Sequence, residues 1–159
     1  MADDFRLTSR LPASSRAALE ALLFFNVRQH ALRDEIASTI ERFGIPEIVA
    51  QNGRLQILVA GLPDVQCLYA VRGSSEEAEP VGVVVYVRDS IDRLTIVHLS
   101  VLPDGSLNLA GGGRIVLHRL LNQIRRVARC TAGIERVELA YRAHRAPRNG
   151  GYTALAQGA

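Results

Sequence analysis

The sequence predicts an α/β domain built on a mixed, mainly antiparallel central sheet with flanking helices. Three observations carry that reading. Two apolar sets at helical spacing come first, followed by β-branched runs separated by short polar turns. A glycine-rich segment then opens a long amphipathic helix. One more β-branched run follows it, and the intervening crossover is long enough for parallel, right-handed pairing.

The elements follow in order. Phe5–Leu11 alternates and stops at Pro12, which predicts a short strand. Ser14 or Ser15 caps a helix carrying Leu19, Leu22, Leu23 and Val27 on one face. Leu32, Ile36, Ile40 and Phe43 continue the period up to Gly44, with Pro46 beyond it. One helix over both sets would run about 45 Å, too long for a compact domain of this size, so a break is expected near Asn26–His30. Arg54–Ala60 and Gln66–Arg72 are strand-like, and the Gly-Leu-Pro-Asp-Val between them suits a hairpin. Gly73–Glu79 is a polar loop. Val81–Arg88 and Leu94–Leu102 extend the meander through Asp89–Asp92. Arg114–Arg129 is the amphipathic helix, Ile134–Tyr141 the last strand, and 142–159 a tail of little periodicity.

Composition bounds the function. At 159 residues and 48% hydrophobic, the chain suits a single domain over 1–159 that buries a real core. No apolar run approaches a membrane-spanning length, and the acidic Met1–Asp4 start is unlike a secretory signal, so the expected location is cytoplasmic. Cys67 and Cys130 form no CxxC pair, which argues against zinc or a disulfide framework and makes buried thiols the default. The net charge is +3, and every basic side chain is Arg. Arg125, Arg126, Arg129, Arg136, Arg142, Arg145 and Arg148 crowd the last quarter, where only Tyr141 and Tyr152 offer rings for stacking. A solvated helix face with a basic tail is preferred there over a nucleic-acid surface.

The chemistry centres on Gly111–Arg114. Glycines where a strand's carboxyl end meets a helix amino end expose unpaired N–H groups without Cβ obstruction, and Arg114 adds a charged donor. That combination predicts an anion site, with a flexible turn as the plainer alternative. No GxxxxGK[ST] is present, and the GxGxxG order is missing.

The run EPVGVVVYVRD…RLTIVHLSVLPD…NLAGGGRIVLHRLL, with its order of strand, two helices, meander, glycine loop, helix and strand, resembles the GNAT acyltransferase superfamily. Leu99–Pro103 resembles that family's strand end, and Asn108-x-x-Gly111-x-Gly113 its pyrophosphate loop. Asn108 stands where the family has Arg or Gln, and the chain ends before the family's final helix and two strands. The resemblance implies acetyl- or another acyl-coenzyme A as cosubstrate and no metal. The ligand would be held by Leu99, Ser100, Val101, Asn108, Gly111, Gly112, Gly113 and Arg114. It implies direct transfer to a small-molecule or peptide amine, with pantetheine lying where Leu94–Leu102 splays from Ile134–Tyr141.

Alternation places Leu94, Ile96, His98, Ser100 and Leu102 on one face. Tyr86 shares a face with Gly82 and Val84, so Tyr86, His98 and Ser100 are expected to converge where an amine would approach. His98 is the candidate general base, with a pH limb near 6–7. A half-buried, hydrogen-bonded histidine is its plainer alternative. Tyr141, and behind it Tyr152, is the candidate general acid. His118 is expected to face solvent. Two rival functions stand beside acyl transfer: a non-catalytic binding or regulatory module on the same fold, and an Arg-rich polyanion binder. A homodimer completing the open sheet edge is a further expectation.

Overall fold

A computed structural model describes residues 5–24, 33–103 and 112–140. Its spine is a five-stranded sheet in the order β1-β5-β6-β7-β8. The strands are β1 (Arg6–Thr8), β5 (Gln66–Arg72), β6 (Glu79–Ser90), β7 (Arg93–Val101) and β8 (Arg136–Leu139). β1, β5, β6 and β7 pair antiparallel, whereas β7 and β8 are parallel from Arg93↔Arg136 to Ile96↔Leu139. The crossover between β7 and β8 carries helix α3 (Gly112–Cys130). The mixed α/β class and the mainly antiparallel sheet agree with the sequence pattern.

Each face of the sheet has its own core. On one face α3 lays Val116, Leu120, Ile124 and Ala128 against Ala70, Val84, Leu94, Ile96, Val101 and Val137. Gly82 makes that approach possible: a Cβ there would stand 2.7 Å from Val116 Cγ1 and 2.9 Å from Leu120 Cδ1. On the other face α1 (Arg16–Phe24) and α2 (Arg33–Phe43) contribute Leu19, Leu22, Leu23 and Phe43. They meet Tyr69, Val71, Val83, Val85, Val87 and Val97. α2 stops where expected, because Gly44 takes φ +101° and its N–H donates to Ile40 O at 2.8 Å. The break expected near Asn26–His30, and His30 itself, lie outside the described residues.

A second sheet corrects the expected order of the early strands. It contains β2 (Leu11–Pro12), β3 (Pro46–Gln51) and β4 (Arg54–Val59) in the order β2-β4-β3. β3 was not among the expected strands, although its signal is present. Asn52 and Gly53 take φ 53° and 73° between paired Gln51 and Arg54, the left-handed two-residue turn that Asn-Gly favours. β4 therefore pairs with β3 and β2, and the expected hairpin between Arg54–Ala60 and Gln66–Arg72 does not form: the two strands lie in different sheets. The single strand expected over Phe5–Leu11 likewise divides at Ser9–Arg10, β1 joining one sheet and β2 the other. Leu11, Ile48, Leu55, Ile57 and Val59 turn their side chains into the α1 and α2 core, so the small sheet completes that layer.

Candidate functional site

The strand–helix–strand unit sets the geometry around the predicted anion site. β7 runs along β6 to Val101, but its ladder with β8 ends at Ile96↔Leu139. Val97–Val101 thus extend past the last paired position of that ladder. The helix opens at Gly112, and Gly112 and Gly113 are both buried, while Arg114 is exposed. The two glycines belong to the helix itself and not to a flexible turn. No acidic residue stands in the first described turn of α3, whose amino end carries the positive end of the helix dipole. Asn108 and Gly111 lie outside the described residues, as do Tyr141, Tyr152 and the tail 142–159.

Within β7, one extra residue rearranges the predicted catalytic face. His98 pairs with Val85, yet Tyr86 pairs with Ile96, leaving Val97 as a bulge. Beyond it the alternation reverses. Leu94 and Ile96 face α3, whereas Val97, His98 and Ser100 face the α1 and α2 layer. Leu99 and Val101 belong to the α3 side. The expected convergence of Tyr86, His98 and Ser100 does not occur, because Tyr86 stays on the α3 face and donates to Gln66 Oε1 at 3.3 Å.

What His98 and Ser100 do is tie β7 to the last described turn of α1. Ser100 Oγ donates to Leu22 O at 2.6 Å, and the His98 imidazole is hydrogen-bonded to the Leu23 backbone. His98 is only 7% exposed. Burial pushes its pKa down to about 4, against the opposing pull of the Leu23 contact. The void beside it, lined by Ile36, Thr39, Phe43 and Val97, holds about 10 Å³, room for one water and not for an amine. The pH limb expected near 6–7 is corrected accordingly, since the imidazole is neutral throughout that range.

Other candidates settle into structural places. Cys67 packs beside the α1 and α2 core, and burial raises its thiol to about 11, while Cys130 is exposed and departs from the buried-thiol default. His118 is exposed as expected, with Nδ1 3.1 Å from Asn122 Nδ2. α3 carries Arg114, Arg119, Arg125, Arg126 and Arg129 and no Asp or Glu. No described helix is long and apolar enough to cross a membrane. No family model matches the chain, and no curated protein or solved structure matches it significantly.

Proposed function

We propose that this chain is a GNAT-like domain that binds acyl-coenzyme A and transfers the acyl group to an amine. The reading rests on one arrangement: a parallel β7/β8 pair whose ladder stops at Ile96↔Leu139, while β7 continues to Val101 ahead of a helix opened by two buried glycines. A parting of the two strands beyond that point would leave room for an extended pantetheine arm beside strand backbone, and the α3 amino end would offer its dipole to a diphosphate. The order of strand, two helices, antiparallel meander, helix and parallel strand supports the same resemblance. An amine would attack the thioester carbonyl, a β7 N–H would stabilise the oxyanion, and the thiolate of coenzyme A would leave. The amine proton would pass to a group other than His98, which is committed to Leu23.

A binding or regulatory module without turnover is the second reading, favoured by the burial of His98 and the engagement of Ser100. Coenzyme A titration tests the shared step. At 1 mM ligand and a dissociation constant of about 100 μM, mass action stabilises the fold by about 1.4 kcal/mol, an upward melting shift of about 3–6 °C. Gly112→Glu should abolish the shift, and the absence of a shift in the unaltered protein overturns the proposal. Release of free thiol from acetyl-coenzyme A with an amine panel then separates transferase from binding module.

A further inference from the structure

Three arginines line a cleft at the seam between the two sheets. At Ser9–Arg10 the chain leaves β1 in the large sheet and enters β2 in the small one. Beside this crossing lies a cleft of about 350 Å³. Arg6 reaches it from β1, Arg10 from the crossing and Arg54 from β4; Asn52 and Gly53 of the β3–β4 turn and Ser75 of the β5–β6 loop complete its rim.

Among the described residues, no Asp or Glu lines the cleft. Arg6 Nη1 donates to the Gly73 carbonyl at 3.0 Å, and no carboxylate among the described residues pairs with Arg6, Arg10 or Arg54. Three exposed arginines around one open cleft repel one another and raise the positive potential at its surface. A dianion relieves that repulsion, and planar guanidinium forks match phosphate oxygens in pairs. Ser75 and Asn52 add neutral donors at the rim. The cleft is several times larger than a phosphate group needs, leaving room for an organic remainder, and its volume falls at the lower end of those used for small molecules.

We infer that this cleft binds the phosphate group of a small phosphorylated molecule, independently of the coenzyme A site at α3. A ligand there touches residues of both sheets and so clamps the seam between them. The test uses inorganic phosphate and then glycerol 3-phosphate, at constant ionic strength set with chloride. Amide resonances of Arg10, Gly53 and Ser75 should move saturably with either ligand. The surface variant Arg10→Ala/Arg54→Ala should weaken binding at least tenfold, while Arg126→Ala, at an exposed position on α3, leaves it unchanged. Shifts spread over α3, or equal affinity in the Arg10/Arg54 variant, overturn the site. If the double variant does not fold, the amide map of the unaltered protein decides alone, since a saturable response away from those three residues is equally fatal.

Discussion

Ser100 on β7 donates its hydroxyl to the Leu22 carbonyl on α1 across 2.6 Å, joining residues 78 positions apart in the chain. With the neighbouring His98–Leu23 contact, it ties β7 to the last described turn of α1. Ser100→Ala removes this buried donor to the Leu22 carbonyl. The expected loss is about 1–3 kcal/mol in urea unfolding. A change within about 0.3 kcal/mol would mean that the carbonyl finds water instead.

His98 makes stability depend on pH in a defined direction. Its pKa falls from 6.5 in the unfolded chain to about 4 in the folded one, so the unfolded state binds more protons between those values. The stabilisation is fully present above about pH 6.5 and drains away as the pH falls toward about 4. The amount at stake is on the order of 3 kcal/mol. Denaturant midpoints at pH 7 and pH 5 should separate clearly in the native sequence and much less in His98→Gln.

Gly82 is set by space, not by backbone angle. Gly82→Ala would drive a methyl group into Val116 and Leu120 at the contact between β6 and α3. A loss of about 1–3 kcal/mol is expected, or about 2–12 °C in melting temperature. Adding Val116→Ala should recover part of it, and additive losses in the double variant would place the damage elsewhere.

Arg93 ties the β6–β7 hairpin to β8. Its Nε and Nη2 each meet an Asp89 carboxylate oxygen at 2.9 Å, and Nη1 lies 3.3 Å from Glu138 Oε2. Burial works to raise the Asp89 pKa, but the Arg93 fork and charge outweigh it and the net shift is downward. Stability from this group is therefore present above the ordinary carboxylate value and lost as pH falls through the lowered one. Arg93→Met should cost about 1–2 kcal/mol at pH 7 and less near pH 2. A penalty independent of pH would assign the effect to the packing of the arginine stem.

The two thiols should differ in reactivity. Cys130 is exposed, whereas Cys67 is held protonated by burial, with a pKa near 11. Iodoacetamide at pH 8 should label Cys130 first, with Cys67 modified only on unfolding. Peptide mass spectrometry reads both sites in one experiment, and equal labelling of the folded protein would contradict the packing of β5.

Local pattern alone determined much of this architecture. The spacing of Leu19, Leu22 and Leu23, the stop at Gly44, the β5–β6–β7 meander and the α3 crossover are all encoded in periodicity and turn chemistry between near neighbours. Asn52-Gly53 carried the β3–β4 turn in the same legible way, although the expected strand order missed it. Tertiary structure alone decided the face that His98 presents, because the Val97 bulge reverses alternation and no local pattern in β7 announces the extra residue. It also decided which sheet β4 joins and which arginines meet at the seam. Those outcomes depend on packing between segments far apart in sequence, where burial of Leu55, Ile57 and Val59 against α1 and α2 outweighs the short link to β5.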